Sequence, residues 1–375
     1  MQLIRTLVLL TVWIGTAAAL AQPAIHEDFQ SANLDWNVWC LCQINMSAAL
    51  ITFPLDQNQA GDRVVLVTVD EASLGGNKCR SKAPDFECRP PLTSAALAHF
   101  DDGKEIGFPL NLPEPLGPSL IRPRGMELAE ASPKNPYCTD EVERRAKAAG
   151  EEGCIQRQEL RFQKRYWHDA NKPRLYSFRF RMPERIEDRI NSIRWIIAQW
   201  KQGPISEKYC RQFDCEKWGP SPFLALRFDD GVLHVTVQDE YCRCKVASAP
   251  LPDGLNPVWV DGLAQYCVST KPTDPDGSTC TPDLHVQYGK DPILSPPLGR
   301  WVVMRLRVAA DRSRRAVIEI HQDDRFIVRV TGKIGYEQER GIVSKTKFKI
   351  GHYRDYMPFV HTMMIDWLTV TPVTD

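Results

Sequence analysis

The stretch FLALRFDDGVLHVTVQ, residues 223–238, indicates the fold class of this chain. Its two halves, 223–228 and 232–238, are short and largely apolar runs of strand-forming residues. Between them stands Asp229-Asp230-Gly231, whose Asp-Gly pair tolerates the positive φ of a tight turn. The stretch therefore predicts a β-hairpin.

Similar strand candidates recur along the chain, and a second hairpin connection is expected at Gln322-Asp323-Asp324-Arg325. The candidates are 63–69, 155–163, 175–181, 193–201, 223–228, 232–238, 301–308, 316–321, 325–331, 345–353 and 362–371. No strand-helix-strand rhythm appears, which disfavours a parallel α/β sheet. We predict an all-β chain folded as a two-sheet antiparallel sandwich of the concanavalin A type, a β-jelly roll.

The first 21 residues have the features of an export signal. Arg5 gives a basic start, residues 7–14 are apolar, and Ala19-Leu20-Ala21 is a small-x-small cleavage site before Gln22. The apolar run is short for a membrane span, so cleavage is favoured over retention as an anchor. We expect a secreted or periplasmic protein that is free of the membrane after cleavage.

The charge of the chain is balanced, with 47 basic and 47 acidic residues. Removal of residues 1–21 takes away one arginine, which leaves 47 − 1 = 46 basic residues and a net charge of about −1. This balance argues against general nucleic-acid binding. Attraction for a polyanion would have to come from local clusters of cations.

All twelve cysteines follow the predicted cleavage site, where an oxidising compartment favours disulfides over a zinc site. Sequence spacing cannot fix the connectivity. The pairs suggested by spacing are Cys79–Cys88, Cys138–Cys154, Cys210–Cys215 and Cys267–Cys280, with Cys40 and Cys42 left for Cys242 and Cys244.

Residues 22–375 are predicted to form one domain that carries two insertions. The first, near 84–154, is rich in proline and glycine and then contains a short helix within 139–153, ended by Gly150. A Cys138–Cys154 disulfide would close this helical part in front of the strand at 155–163. The second insertion is the proline-rich region 250–297.

Three of the predicted strands set polar side chains at alternating positions, which share one face of an extended strand. The segments are Arg157-Gln158-Glu159-Leu160-Arg161, Ala198-Gln199-Trp200-Lys201 and Phe348-Lys349-Ile350-Gly351-His352-Tyr353. Alternation aligns Arg157, Glu159 and Arg161, and it aligns Gln199 with Lys201. Lys347, Lys349, Gly351 and Tyr353 likewise share a face. If these faces meet, they form a cationic cleft suited to an acidic sugar. Taken singly, each strand is explained as well by surface charge or packing.

Together and in this order, the three segments resemble the jelly-roll polysaccharide lyases, which include alginate, glucuronan and heparin lyase I-like proteins. The heparin lyase I-like group is the most similar, through Ile197-Ala198-Gln199-Trp200, Pro222 to Arg227 and Phe348 to Arg354. The resemblance covers roughly residues 155–371. It implies eliminative cleavage of an anionic, uronic-acid-containing polysaccharide held in a groove.

The resemblance also implies roles for individual residues. Arg157 and Gln199 would neutralise the C6 carboxylate of the sugar, and Tyr353 would protonate the departing O4 and also remove the C5 proton. The substrate contacts would be Arg161, Glu159, Lys349, Arg354 and Lys347.

Lys201 departs from the family pattern, because many members have histidine two residues after the glutamine. A lysine could act as the base only if burial or neighbouring cations lowered its pKa considerably. Otherwise Lys201 is a second carboxylate contact and Tyr353 acts alone. Tyr353 would then need both the C5 proton and O4 on one side of the ring, as in glucuronate and mannuronate.

Two other functions are open at this stage. A non-catalytic carbohydrate-binding protein would use the same sandwich. A glycoside hydrolase is less favoured because no strand carries a suitable set of carboxylates.

No cofactor and no metal site are predicted, and a monomer is expected. The turns at Asp229-Asp230 and Asp274-Pro275-Asp276-Gly277 could offer oxygen ligands to Ca²⁺, although ordinary turn chemistry also explains them. His234, His321 and His352 are expected to have packing or surface roles, whereas His168, His285 and His361 stay open.

Overall fold

The structure is a computed structural model. It describes residues 24–30, 35, 38–43, 51–52, 63–69, 135–148, 154–182, 194–203, 221–229, 231–251, 257–271, 274, 278–312, 316–337 and 344–373. The strands in these ranges are β1 (Ile25–Glu27), β2 (Trp39–Gln43), β3 (Ile51–Thr52), β4 (Val65–Val69), β5 (Ile155–Phe162), β6 (His168–Asp169), β7 (Arg174–Arg181), β8 (Trp195–Gly203), β9 (Leu224–Asp229), β10 (Val232–Asp239), β11 (Cys242–Ser248), β12 (Gly262–Leu263), β13 (Cys267–Ser269), β14 (Leu284–Tyr288), β15 (Val302–Ala309), β16 (Ala316–Gln322), β17 (Arg325–Gly332), β18 (Lys345–Asp355) and β19 (His361–Pro372). One helix, α1 (Asp140–Ala148), lies in the described part of the chain.

The strands form two antiparallel sheets, as predicted. Sheet A has the order β12-β14-β17-β16-β15-β7-β19-β4-β3, with β1 also paired to β19. Sheet B has the order β13-β11-β10-β9-β8-β18-β5-β2, with β6 also paired to β18. Strand β18 lies between β8 and β5, which are both far from it in sequence. Two antiparallel sheets with such long-range pairings confirm the predicted jelly-roll sandwich.

The hydrophobic core lies between the inner faces of the two sheets. On β7, Tyr176, Phe178 and Phe180 alternate toward the core, and they meet Trp200 of β8 and Phe348 of β18. The Tyr176 and Trp200 rings lie edge to face, with centroids 5.4 Å apart. Because these inner residues alternate with polar ones, packing fixes which side chains of sheet B point outward.

Both predicted hairpins are confirmed. β9 and β10 pair with Asp229 opposite Val232, and Gly231 has φ 74° in the turn between them. In the turn between β16 and β17, Asp323 and Asp324 also have positive φ, 50° and 65°. Positive φ at consecutive turn residues matches the twist of the flanking strands.

The region 250–297 is more regular than an insertion. It contains β12, β13 and β14; β14 pairs with β17 in sheet A, and β13 pairs with β11 in sheet B. The sequence analysis did not predict these short strands because prolines surround them. It did not predict β11 either, because cysteines and a lysine interrupt its apolar pattern. The proline-rich part of the first insertion lies outside the described residues.

Helix α1 lies where the sequence predicts it, and the predicted disulfide between Cys138 and Cys154 is present. Its buried residues Val142 and Ala146 pack with Cys154 and Tyr356. The helix is therefore fastened beside the end of β18.

Two other disulfides correct the predicted connectivity. Cys244 pairs with Cys267, which lies directly opposite it in the β11–β13 register, and Cys242 pairs with Cys280. Cys267 therefore does not bond Cys280. Cys40 is also disulfide-bonded, but not to Cys242 or Cys244, because both have other partners. Cys79, Cys88, Cys210, Cys215 and the Cys42 side chain lie outside the described residues.

One end of the core is polar. Trp195 Nε1 donates to Nδ1 of His352 at 3.1 Å, so Nε2 of His352 carries the proton and donates to the Val67 carbonyl at 3.1 Å. This imidazole joins β18 of sheet B to β4 of sheet A.

Burial lowers the pKa of His352 and of the nearby His361, to about 3 and about 2 respectively, and the cation of Arg354 adds to both shifts. The histidines are therefore neutral at neutral pH.

Candidate active site

The three polar strands identified from sequence are neighbours in sheet B. β18 runs between β5 and β8, and the register sets Lys349 beside Gln199 on one side and Arg161 on the other. Tyr353 lies opposite Arg157 of β5. Leu160, Phe348 and Ile350 point into the core instead. The predicted alternation on these strands is therefore confirmed.

We call this set the cationic floor: Arg157, Glu159, Arg161, Gln199, Lys201, Lys347, Lys349 and Tyr353. Its members point away from the core, yet Gln199 is 2% exposed and Arg157 and Lys349 are each 8% exposed. These side chains point outward from the core and are nevertheless shielded from solvent.

A glycine shapes the strand that carries Tyr353. The β8–β18 register shifts between Ile350 and Tyr353, and Gly351 has φ 129° at this bulge. A Cβ on Gly351 would lie 2.3 Å from the carbonyl oxygen of Gln158. Glycine is required here because the backbone of β5 approaches closely and the φ is positive.

Glu159 is the one carboxylate of the floor, and it binds several of the cationic and amide groups around it. Its carboxylate accepts hydrogen bonds from Gln199 Nε2 and from Lys349 Nζ at 3.2 Å, and Arg157 Nε lies 3.3 Å away. The residue is 1% exposed. Its oxygens thus accept from donors on β8 and β18, and a substrate contact by Glu159 stays a prediction.

Tyr353 stands between two guanidinium groups. The Cζ atom of Arg157 lies 4.1 Å from the centroid of the phenol ring, and that of Arg194 lies 5.1 Å from it. Asp355 fixes Arg194 through the backbone N–H at 2.8 Å, Nε at 3.1 Å and a terminal nitrogen at 2.5 Å. The phenol is thus held on its strand by cations from both sides.

The two lysines nearest the centre have lowered pKa values. Burial lowers the pKa of Lys201 well below its ordinary value, with Lys349 and Arg157 adding to the shift. Burial also lowers the pKa of Lys349 to about 8, although the charge of Glu159 opposes this shift. Lys201 therefore meets the condition that the sequence set for a lysine base.

An aromatic side chain borders one end of the floor. Lys347 Nζ lies 4.6 Å from the ring centroid of Trp167, and Arg161 Cζ lies 5.8 Å from it. Lys347 is opposite Lys201 in the register. Trp167 follows a 3₁₀ turn at Lys164–Tyr166 and is half-buried.

Arg354 does not belong to the floor, and the expectation that it binds substrate is wrong. It points to the opposite face of β18 and is fully buried. Its Nε donates to Gln156 at 2.7 Å, and another nitrogen donates to the Phe359 carbonyl at 2.5 Å. The alternation that brings Tyr353 outward turns Arg354 inward.

The structure adds residues that sequence reasoning missed. Arg194 and Asp355 frame Tyr353, while Arg227, His234, Arg243 and Lys245 extend the polar face across β9 to β11. His234, expected to pack or face solvent, lies on this polar face next to Arg227. The alternation in 223–238 predicts that Arg227 and His234 share the polar face of their hairpin. Only the pairing of β9 with β8 shows that this face is the face of the cationic floor.

Potential metal ligands gather at one place within the described ranges. The sulfur atoms of Cys242, Cys244 and Cys267 lie within 4.8 Å of one another, and all three are disulfide-bonded. The metal ligand of a cysteine is its thiolate, and a sulfur atom in a disulfide is not a thiolate, so this group is explained by its disulfides. Asp229 belongs to one of the turns whose oxygens could bind Ca²⁺, and its carboxylate lies 3.7 Å from the cation of Lys245, at Nζ.

The sequence profile of the polysaccharide lyase family matches residues 133–370, which include α1, strands β5 to β18, most of β19 and the cationic floor. The chain belongs to the polysaccharide lyase family. No curated protein matches the sequence.

Solved structures similar to this polysaccharide lyase include alginate lyase A1-II′ in complex with substrate, at 14% identity and TM-score 0.32, covering 58% of this chain and 70% of that one. An endo-β-1,4-glucuronan lyase from the fungus Trichoderma reesei is similar at 13% identity and TM-score 0.35, covering 60% of this chain and 77% of that one. An alginate lyase from Pseudomonas aeruginosa has 16% identity and TM-score 0.30, covering 58% of this chain and 75% of that one. None of the three defines the substrate of this polysaccharide lyase.

Within the described part of the polysaccharide lyase, no helix is both long and apolar enough to cross a membrane.

Proposed function

We propose that this polysaccharide lyase cleaves a uronic-acid polysaccharide by β-elimination at the cationic floor. The observation that carries the proposal is the position of Tyr353, a phenol held between two guanidinium groups on the same face of sheet B as Gln199, Lys201 and Lys349. A phenol can exchange protons with sugar carbon and oxygen atoms, while the cations hold the acidic group of the sugar.

The first requirement of the reaction is neutralisation of the C6 carboxylate, which makes the C5 proton removable. Arg157 and Lys349 supply positive charge for this, and Gln199 supplies a hydrogen-bond donor. One hydrogen of the Gln199 amide is engaged by Glu159. An amide nitrogen has two hydrogens, so the second can donate to a substrate carboxylate.

The second requirement is a proton acceptor and a proton donor at the scissile bond. The C5–H bond breaks, a C4–C5 double bond forms, and the C4–O4 bond breaks. In our proposal the phenolic oxygen of Tyr353 takes the C5 proton and a proton passes from it to O4, which returns the enzyme to its initial state. Arg157 and Arg194 stabilise negative charge on that oxygen during the transfer.

This use of one residue for both transfers requires the C5 proton and O4 on one side of the ring. Glucuronate and mannuronate meet that requirement, and we propose a glucuronate-containing substrate. Lys201 is the second candidate base, since its lowered pKa favours the neutral amine. If Lys201 removed the C5 proton from one side of the sugar ring and Tyr353 protonated O4 from the other side, the substrate would be iduronate or guluronate.

A panel of polysaccharides tests the proposal. Glucuronan, heparin, heparan, hyaluronan and alginate are incubated with the protein, with and without chelator, and ultraviolet absorbance of the new double bond is followed. We expect absorbance to rise with glucuronan. Binding without absorbance would support a lectin, and saturated products would support a hydrolase.

We also propose that the chain is exported. The disulfides Cys138–Cys154, Cys242–Cys280 and Cys244–Cys267 support an oxidising compartment. Sequencing the N-terminus of the protein recovered from culture medium or periplasm should give Gln22, and recovery of uncleaved chain in the cytosol would contradict export.

A further inference from the structure

A second group of cations lies on the same face of sheet B, beyond Tyr353. Tyr353 pairs with Ile196, Ile196 pairs with Arg227, and Arg227 pairs with His234 of β10. Arg227 is therefore two strand spacings, about 10 Å, from Tyr353 across the sheet. The floor and this second group therefore lie on one face of sheet B.

Arg243 and Lys245 of β11 point to the same side. Their neighbours Cys242 and Cys244 face the core, so alternation turns the arginine and the lysine outward. Arg227, Arg243 and Lys245 are each half-buried. Three long cationic side chains thus lie partly desolvated along one stretch of sheet.

The described carboxylates here do not balance these charges. Asp229 is 3.7 Å from Lys245, and Asp355 is held by Arg194. Among the described residues, no ion pair joins a carboxylate to Arg227 or Arg243. The Nε atom of Arg227 is buried and has no hydrogen-bond partner.

This arrangement costs the folded protein free energy. Burial lowers the pKa of Arg227 well below its ordinary value, and the neighbouring charges of Arg243 and Arg194 add to the shift. Burial lowers the pKa of Arg243 as well. Desolvated like charges are retained where they bind a ligand of opposite charge.

We propose that Arg227 and Arg243 form a second anion-binding site, which receives another acidic substituent of the polysaccharide chain bound at Tyr353. The site rests on the proposed function for the identity of its ligand. A planar guanidinium binds a carboxylate or a sulfate ester through paired hydrogen bonds, so both substituents fit the same chemistry.

Binding measurements in a Tyr353→Phe background test the site without turnover. Isothermal titration with a glucuronan hexasaccharide is compared for that protein and for versions that add Arg227→Ala, Arg243→Ala or Arg227→Lys. Each alanine should weaken binding about 10- to 100-fold, as expected for loss of a charge-assisted hydrogen bond. Arg227→Lys should recover part of the loss. Arg329→Ala, on sheet A and paired with Glu319, is the matched control and should bind as the parent does.

Two further ligands identify what the site recognises. A carboxyl-reduced hexasaccharide should bind weakly and show no difference between the parent and Arg227→Ala. An equal loss on the neutral ligand would overturn the site. A heparin hexasaccharide distinguishes sulfate from carboxylate, because the Arg227→Ala loss will be larger for the substituent that the site prefers.

Unfolding temperatures distinguish an anion-binding arginine from a structural one, and they test the site even if the proposed function fails. Arg227→Ala should unfold at an equal or higher temperature than the parent, since the substitution removes repulsion, whereas a structural arginine would lower it. If no hexasaccharide binds the parent, the proposed function fails. Inorganic sulfate at matched ionic strength then tests the site alone: it should raise the unfolding temperature of the parent more than that of the Arg227→Ala, Arg243→Ala double variant. Equal shifts would overturn the site.

Discussion

At the scale of single residues, the candidate site is organised around a buried anion. Glu159 contacts Gln199, Lys349 and Arg157, which come from three strands, so the groups that we propose bind the substrate are already positioned by the fold. Such positioning lowers the reorganisation needed in the transition state. The geometry leaves two candidate bases, Tyr353 and Lys201, which substitution can separate.

Replacement of Tyr353 by phenylalanine removes the phenolic oxygen and keeps the ring between its two guanidinium groups. We expect lyase activity on glucuronan to fall about 10²- to 10⁴-fold, the usual range for loss of a general acid or base. Lys201→Ala should cost less and act mainly on KM. Initial rates of absorbance increase measure both, and the roles are reversed if Lys201→Ala abolishes activity while Tyr353→Phe retains it.

The pH dependence of KM should report Lys349. Its folded pKa is lowered to about 8, so the side chain is cationic below that pH and loses its charge as pH rises through it. We expect KM for glucuronan to rise above about pH 8. Lys349→Gln should show a higher KM that is flat across pH 7–9, and the exposed Lys290→Gln should behave as the wild type. A flat wild-type KM would contradict the role of Lys349.

At the scale of elements, the bulged β18 decides where the chemistry lies. Its register shift against β8 aligns Tyr353 with Ile196 and leaves Gly351 against the backbone of β5. One strand thereby contributes two floor lysines, the candidate acid and, on its other face, the buried His352 and Arg354.

Gly351→Ala tests this element against a matched control. Gly262 has a similar φ of 127°, but a Cβ there would meet nothing within 4 Å. Gly262→Ala should cost roughly 1–3 kcal/mol from backbone strain. Gly351→Ala should cost more and reduce activity, because β5 must move away. Urea unfolding and initial rates measure both effects, and equal stability losses with full activity would show that the close approach is unimportant.

At the scale of the whole molecule, the two sheets are joined by buried polar groups as well as by the apolar core. His352 bridges β18 to the Val67 carbonyl, and His168 bonds the Tyr176 hydroxyl at 3.3 Å within the core. Burial lowers the pKa of His168 to about 3. These neutral histidines tie stability to pH.

Acid should therefore destabilise the fold before most carboxylates titrate. The folded pKa values of His168, His352 and His361 lie below the unfolded value, so their contribution is complete above about pH 6.5. It is lost as pH falls toward about 3 for His168 and His352, and toward about 2 for His361. The expected loss is on the order of 1.4 kcal/mol per pH unit for each histidine. Urea unfolding between pH 7 and 5 measures it. His352→Gln should reduce the slope, exposed His285→Gln should leave it unchanged, and a flat wild-type profile would contradict the linkage.

Much of this protein could be predicted from sequence because its determinants are local. Alternation and turn residues predicted the longer strands β5, β7 to β10 and β15 to β19, both hairpins and the outward face of Arg157, Gln199 and Tyr353. The helix and the Cys138–Cys154 disulfide were predictable because they close within a short segment. The three short strand segments likewise predicted membership of the polysaccharide lyase family.

Only the tertiary structure decided which strands are neighbours, because sheet pairing depends on packing between segments distant in sequence. It brought Glu159 into contact with Gln199 and Lys349, and it placed Arg194 against the ring of Tyr353. It also assigned Cys244 to Cys267 across a strand register that spacing does not encode. Local pattern determines which way a side chain points, whereas long-range packing decides what it meets there.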